Sequence, residues 1–281
     1  MSHSNKDHSI AVLGCGYVGS QAAKIWTKRG MHVTGTTRHP NRLPKIAEVA
    51  QKGLLLKSND EEDIASIIAS NETILVSIAA DRPQDYDNAY RHTAQVFRNL
   101  AIEMGLPRRL IYTSSTSVYG DHHGKFVDED SELLSKTDNG KILIETERLY
   151  TSLAEFGWHV CILRLAEVYG PEREISKKVR ENQGIALAGT GEQYTNMVHR
   201  ADCAEAIDYA LRHHLEGVYN VADDDHPTRK ELYSQVADLH QLEHTHWDPK
   251  LTSMHSGNKR VSNHKIKAQG FSLHYPHRIL D

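Results

Sequence analysis

The chain has 281 residues, 39% of them hydrophobic and 25% charged, which is enough for one large domain or two closely joined ones. Its net charge of -4 gives no general electrostatic reason to bind nucleic acid or an anionic membrane. No nucleic-acid or membrane partner is therefore expected. The polar start "MSHSNKDHS" and the short apolar run after it do not resemble a signal peptide or a membrane span, and three scattered cysteines indicate reduced thiols in a cytoplasmic protein.

Apolar, strand-like runs alternate with helical patterns through the first two thirds of the chain. The strands are predicted at Ile10–Leu13, His32–Gly35, Leu54–Lys57, Ile74–Ala79, Arg109–Thr113 and His159–Leu165. One helix carries an apolar stripe from Tyr86 to Met104, and another runs from about Gly140 to Phe156, with Gly157 at its end. The alternation predicts an α/β fold with a Rossmann-type, doubly wound parallel sheet over residues 1–170. A small C-terminal substrate lobe is expected over residues 171–281, partly interleaved with the first domain.

The first strand runs into "GCGYVGS", where Gly14, Gly16 and Gly19 have the G-x-G-x-x-G spacing. Gly14 permits a tight turn, Gly16 lets the backbone approach a pyrophosphate, and Gly19 lets helix and strand pack closely. A helix follows the motif, and a second strand ends about 18 residues later. This context predicts a dinucleotide site that includes the backbone of Tyr17 and Val18, whereas an isolated motif would indicate only a glycine-rich turn.

The end of the second strand, "HVTGTTRHP", has no acidic residue for a ribose 2′-hydroxyl. It offers Thr36, Thr37 and Arg38 instead, two hydroxyls and a guanidinium that suit a 2′-phosphate, so NADP is favoured over NAD. The alternative is an exposed turn with an incidental arginine. Asp60, after the third strand, either accepts a hydrogen bond from the adenine amino group or caps the helix that begins "DEEDIASIIAS".

The strand "LIYTSSTSVYG", residues 110–120, ends in a cluster of hydroxyls, at the edge where a doubly wound sheet binds its substrate. Here the chain resembles the extended short-chain dehydrogenase/reductases, also called the NAD-dependent epimerase/dehydratase family. Further matching stretches follow in order: "SIAAD" (77–81), "ILRLAEVYGPER" (162–173), "MVHRADCAEAI" (197–207) and "VYNVADDDHPTRKEL" (218–232). The resemblance implies that Ala79 and Ala80 flank the nicotinamide ribose, and that the last two stretches return to the sheet.

The resemblance also implies a catalytic set of Ser/Thr, Tyr and Lys. Ser115, four residues before Tyr119, matches the serine that orients the substrate oxygen, and Lys141 matches the lysine that binds the nicotinamide ribose. Each has a structural alternative. Ser115 is equally a strand-end hydroxyl satisfied by backbone, and Lys141 forms a potential exposed helix pair with Glu145.

The chain departs from this family in two places. Thr137 stands where the family has its proton-transferring tyrosine, and a threonine hydroxyl is too weak an acid to replace a phenol near neutral pH. None of the twelve tyrosines has a lysine four residues later. Leu13 occupies the first glycine position of the family's usual G-x-x-G-x-x-G. These departures predict an atypical member with intact cofactor binding and an altered catalytic centre.

Four other side chains are candidates for the missing acid: Tyr119, Tyr169, Tyr86 and His122. Tyr119 and Tyr169 follow the two strands expected to flank the nicotinamide, and Tyr119 is taken with Ser115 as part of the catalytic set. A single tyrosine after a strand is more often a packing residue or forms a loop hydrogen bond, and the alternative for His122 is a solvent-exposed turn.

Two further groups of residues were considered as ligand sites. His199 and Arg200 precede "AD" and either face a phosphate- or carboxylate-bearing substrate or form surface contacts. His244 and His246 are the one tight pair in a histidine-rich C-terminal region, but no third ligand follows at a regular spacing, so no metal site is predicted.

We therefore expect an NADP-dependent oxidoreductase or epimerase that acts on a carbonyl or hydroxyl of a small polar substrate resembling a nucleotide sugar. The alternative is a catalytically silent NADP(H)-binding sensor or scaffold protein. A monomer and a homodimer are both compatible with the sequence.

Overall fold

The computed structural model of the chain describes residues 8–56, 60–80, 82–251 and 257–280. Its strands are β1 Ser9–Leu13, β2 His32–Thr37, β3 Lys52–Leu55, β4 Thr73–Val76, β5 Arg109–Ser115, β6 Phe126–Val127, β7 His159–Leu165, β8 Glu167–Tyr169, β9 Leu187–Ala188, β10 Met197–His199, β11 Gly217–Val221, β12 Trp247–Asp248 and β13 Arg260–Val261. Its α-helices are α1 Gly19–Lys28, α2 Leu43–Ala47, α3 Glu61–Ser70, α4 Thr93–Met104, α5 Asp138–Thr151, α6 Ile175–Glu181, α7 Arg200–Arg212, α8 Arg229–His240 and α9 His264–Ala268. A π-helical turn, Asn88–His92, immediately precedes α4.

Within the described residues, seven strands form one sheet in the order β11-β7-β5-β4-β1-β2-β3. β1 pairs in parallel with both β2 and β4, β2 with β3, and β4 with β5. After β3 the chain crosses back to the other side of β1, so the strand order reverses between β1 and β4. The carboxyl ends of strands on either side of such a reversal form the usual ligand crevice of this architecture. The predicted Rossmann-type sheet is confirmed.

The apolar character of these strands follows from burial on both faces. Ile10 and Leu13 of β1 lie on opposite faces of the sheet and are both completely buried, and Trp26 of α1 is completely buried as well. Helix α5 continues into a 3-10 turn at Ser152–Phe156 and ends at Gly157, whose φ of 79° suits a residue without a Cβ. No helix among the described residues has both the length and the apolar composition that crossing a membrane requires.

Several element boundaries differ from their predictions by a few residues. β3 covers Lys52–Leu55 instead of Leu54–Lys57, and Lys57 lies outside the described residues. β4 ends at Val76, although its strand was predicted to reach Ala79. α4 begins at Thr93, because the π-helical turn Asn88–His92 interrupts the predicted stripe, and Tyr86 lies between that turn and a 3-10 turn at Pro83–Asp85. β11 adds an edge strand, as the resemblance implied for residues 218–232.

The chain divides into two compact units built from alternating segments. The first contains Met1–Ser114, Lys141–Arg164 and Ala204–Val218. The second contains Ser115–Gly140, Leu165–Cys203 and Tyr219–Asp281. This division differs from a single boundary at residue 170, because residues 115–140 belong to the second unit and residues 204–218 to the first.

The second unit has its own apolar core. Its fully or largely buried members are Tyr169, Ile175, Val179, Met197, Leu232, Tyr233 and Val236. Helix α8 begins with a capping box, in which the Thr228 hydroxyl accepts from the Glu231 amide while the Glu231 carboxylate accepts from the Thr228 amide. Such reciprocal caps satisfy two backbone donors that the helix leaves unpaired.

Candidate active site

The glycine motif forms a tight loop between β1 and α1. Gly14 has a φ of 82°, and its amide donates to the Thr36 hydroxyl at 3.2 Å. A Cβ on Gly14 would lie 2.5 Å from the Ser77 carbonyl oxygen, and one on Gly19 would lie 2.5 Å from the Gly14 carbonyl oxygen. Close backbone packing therefore requires glycine at both positions, whatever the loop binds.

Gly16 differs from the other two glycines. A Cβ there would meet no described atom nearer than the Gly14 carbonyl oxygen at 4.0 Å, so packing within the protein does not require glycine. Tyr17 and Val18 complete the turn into α1, and among the described residues no side chain caps this helix and no acidic residue lies in its first turn. The open surface over Gly16 and the uncapped helix start fit the pyrophosphate of a dinucleotide.

The end of β2 meets the loop after β4. Thr37 accepts a hydrogen bond from the His39 amide at 3.1 Å, and Arg38 Nη2 donates to the Ala79 carbonyl oxygen at 3.0 Å. Ala80 follows with its amide 3.4 Å from the Tyr90 hydroxyl. The structure thus brings the predicted residues Arg38, Ala79 and Ala80 together in the first unit.

Asp60 caps helix α3. Its carboxylate accepts from the Asp63 amide at 3.2 Å, which is the structural role that the sequence allowed. Its predicted contact with adenine stays a prediction.

Ser115 ends β5 and begins a 3-10 turn, Thr116–Tyr119. Its half-buried hydroxyl accepts from the Ser117 amide at 3.1 Å, as expected for a strand-end serine satisfied by backbone. A hydroxyl that accepts this bond keeps its own hydrogen to donate, so its predicted role towards a substrate oxygen stays compatible with this geometry.

The two tyrosines that follow strands are both engaged in the second unit. Tyr119 is completely buried, and its hydroxyl donates to Asn220 Oδ1 at 2.7 Å. The Tyr169 hydroxyl accepts from the Ile279 amide at 3.3 Å, and burial raises its pKa to about 12. These environments favour the packing alternative for both residues, and their use as acids stays a prediction.

The start of α5 is preceded by Thr137, the residue that the sequence matches to the family's tyrosine. The Thr137 hydroxyl accepts from the Gly140 amide at 3.1 Å and therefore caps the helix. A Cβ on Gly140 would collide with the Ser135 side chain, so this turn is closely packed. In the first unit, Lys141 is exposed on the first turn of α5, and Glu145 lies 3.6 Å from Arg148.

Three of the remaining candidates are histidines with described contacts. His122 Nε2 lies 3.1 Å from the Glu132 carbonyl oxygen, and the ring of His199 contacts the rings of Tyr169 and Tyr275. Burial lowers the pKa of His199, and this favours its neutral form. His244 Nε2 contacts Asp238 at 2.8 Å. Across the described ranges, no group of three or more His, Cys, Asp or Glu side chains is arranged to hold a metal ion.

A buried ion pair in the first unit lies next to the end of β5. Arg164 of β7 donates to both carboxylate oxygens of Glu147 in α5, at 2.7 to 3.2 Å, and the Ser114 hydroxyl donates to the same carboxylate at 2.6 Å. The ion-paired side chains are each 5% exposed. This pair is not among the residues predicted from the sequence, although an arginine inside the apolar strand "CILRLA" is a signal for a buried partner.

The strand order and the glycine loop define a Rossmann-type α/β protein. The profile of the NAD dependent epimerase/dehydratase family matches residues 10–222, so the chain belongs to that family. It is 30% identical over 278 residues to "Protein YeeZ" of Escherichia coli strain K12, covering 95% of this chain and 96% of that protein.

Solved structures give the same assignment. A "putative NAD-dependent epimerase/dehydratase" from Methylobacillus flagellatus has a TM-score of 0.76 and 26% identity, and the match covers 96% of this chain and 94% of that one. A UDP-glucose 4-epimerase from Thermus thermophilus in complex with NAD has a TM-score of 0.77, over 95% of this chain and 94% of the other. At 18% identity, the second match shows the shared fold alone.

Proposed function

We propose that this protein is an NADP(H)-dependent oxidoreductase or epimerase that acts on a carbonyl or hydroxyl group of a small polar substrate of the nucleotide-sugar type. The observation that carries the proposal is the contrast within the glycine loop. Packing explains Gly14 and Gly19, whereas Gly16 is open on the side where a pyrophosphate would lie. Glycine at that position is explained by a ligand that approaches the backbone closely.

The choice of NADP rests on the end of β2. Arg38 is fixed by the Ala79 carbonyl, and Thr36 and Thr37 precede it without an acidic residue that would repel a 2′-phosphate. A guanidinium can donate several hydrogen bonds in one plane, so it can serve a carbonyl and a phosphate together.

The reaction would use the residues that match the family's motif. The bound dinucleotide supplies or accepts hydride at its nicotinamide ring. Ser115 would orient the substrate oxygen, and Lys141 would bind the nicotinamide ribose. In the reductive direction the substrate oxygen must also receive a proton, which in this chain comes from a group other than Thr137.

Tyr86 is our candidate for that proton donor. It is half-buried in the first unit, and its hydroxyl shares a hydrogen bond with Tyr90, which contacts Ala80 at the end of β4. Burial raises the pKa of Tyr86, while the hydrogen bond from Tyr90 lowers it. The phenol is therefore protonated near neutral pH, as a donor must be for reduction.

A second candidate function is supported by the start of α5. The Thr137 hydroxyl is used to cap the helix where the family has its tyrosine, which suits a protein that binds NADP(H) without turnover. Such a protein would act as a sensor or a scaffold.

The experiment that separates the two candidates measures cofactor binding and oxidation together. The protein is mixed with NADPH and a panel of aldehydes, ketones and nucleotide sugars, and NADPH consumption is followed. We expect consumption with at least one of them, and we expect Lys141→Ala to weaken NADPH binding, whereas Lys136→Ala, an exposed lysine before the helix, leaves it unchanged. If NADPH stays reduced throughout and Lys141→Ala has no effect on binding, the enzymatic assignment is rejected.

A further inference from the structure

The peptide group between Ala79 and Ala80 is held from both sides. Its carbonyl oxygen accepts from Arg38 Nη2 at 3.0 Å, and its N–H donates to the Tyr90 hydroxyl at 3.4 Å. One planar peptide unit therefore connects the phenol of Tyr90 to the guanidinium of Arg38. A shift of this peptide would weaken both hydrogen bonds at once.

Tyr90 is itself fixed more firmly than an ordinary surface tyrosine. It lies in the π-helical turn Asn88–His92, where the backbone departs from the regular α-helix that follows, and such turns often occur at functional sites. Its side chain is only 9% exposed, and its ring lies 4.7 Å from the ring of Tyr86. The two hydroxyls also share a hydrogen bond.

The same geometry puts Tyr90 within electrostatic range of Arg38. Burial raises the pKa of Tyr90 to about 12, and the positive charge of Arg38 opposes that rise. Tyr90 is consequently a neutral hydroxyl near neutral pH, and it can accept from Ala80 without adding a negative charge near a phosphate. Phenylalanine at this position would keep the ring and its packing and would remove the hydroxyl, with its hydrogen bonds to the Ala80 amide and to Tyr86.

We propose that Tyr90 is a specificity-determining residue for the cofactor, because it fixes the Ala79–Ala80 peptide that holds Arg38 in place for the 2′-phosphate. The inference rests on the proposed preference for NADP(H). An arginine that is already held loses less conformational freedom when it binds a phosphate, so the clamp strengthens binding of the phosphorylated dinucleotide selectively. NADH has no 2′-phosphate and gains nothing from the position of Arg38.

The test is a double-mutant cycle read by equilibrium titration with NADPH and, separately, NADH. For Tyr90→Phe we expect an NADPH affinity about two- to tenfold lower, as for the loss of one neutral hydrogen bond, and an NADH affinity within about twofold of wild type. In an Arg38→Ala background, Tyr90→Phe should have no further effect on NADPH, because the residue it positions is gone. Tyr209→Phe, on α7, is the matched control and should change neither affinity.

Other results would contradict either the role of Tyr90 or the preference for NADP(H). Equal losses for NADPH and NADH in Tyr90→Phe, no loss for either, or full additivity with Arg38→Ala would overturn the role of Tyr90 while leaving a wild-type preference for NADPH intact. A wild-type protein that binds both dinucleotides equally would instead reject the NADP preference, and the specificity role with it.

Discussion

Replacing Arg164 by methionine would remove the cation from the most buried ion pair described in the first unit. The carboxylate of Glu147, 5% exposed, loses three donor contacts of 2.7 to 3.2 Å and keeps the Ser114 hydroxyl at 2.6 Å among its described partners. Leaving a buried charge without its partner costs about 3–5 kcal/mol of unfolding free energy. Urea denaturation followed by fluorescence measures this loss, and the thermal midpoint should fall by roughly 6–20 °C.

A matched control tests whether the loss comes from the buried charge. Arg148→Met is the matched control, because Arg148 pairs with exposed Glu145 on the same helix and should cost under about 1 kcal/mol. A deficit for Arg164→Met no larger than that of the control would refute the reasoning.

Three further predictions follow from packing and burial. Gly19→Ala places a Cβ 2.5 Å from the Gly14 carbonyl oxygen, so it should lower the thermal midpoint by several degrees, roughly 2–4 °C for each kcal/mol lost. An unchanged midpoint in calorimetry would contradict the close packing at Gly19. Burial lowers the pKa of His199, so the stability of the wild-type protein should fall as the pH drops below about 6.5. His199→Gln should reduce this fall, measured as the urea midpoint at a series of pH values. A variant whose midpoint falls as steeply as that of wild type would contradict the prediction. The three cysteines are buried, and burial raises the pKa of Cys15 to about 11, so a thiol reagent should label none of them before unfolding and all of them after it.

The sheet and the glycine loop could be predicted because their signals are local. Apolar strands buried on both faces keep a continuous pattern, and the spacing of Gly14, Gly16 and Gly19 is set by contacts within one turn. The prediction that the family's tyrosine is absent rests on a local count as well, since Thr137 lies four residues before Lys141.

Features that depend on contacts through space could not be read in the same way. The partner of Arg164 is 17 residues away, the partner of Tyr119 is 101 residues away, and neither distance has a periodicity to reveal it. The π-helical turn at Tyr90 was read as part of a regular helix, because the stripe of apolar residues continues through it. Segments 115–140 and 204–218 carry no linker signal, so the positions at which the chain passes from one unit to the other cannot be read from the sequence.

The central claim is that the glycine loop binds a reduced nicotinamide dinucleotide, and the most direct measurement is calorimetric titration of NADPH into the wild-type protein and Gly16→Ala. We expect wild type to bind one NADPH per chain and Gly16→Ala to bind it at least about tenfold more weakly, because the added Cβ would meet the ligand. The unfolding midpoint of the variant should be unchanged, because among the described atoms the added Cβ meets none nearer than 4.0 Å. Equal affinity in the two proteins, or no binding by wild type, would contradict it.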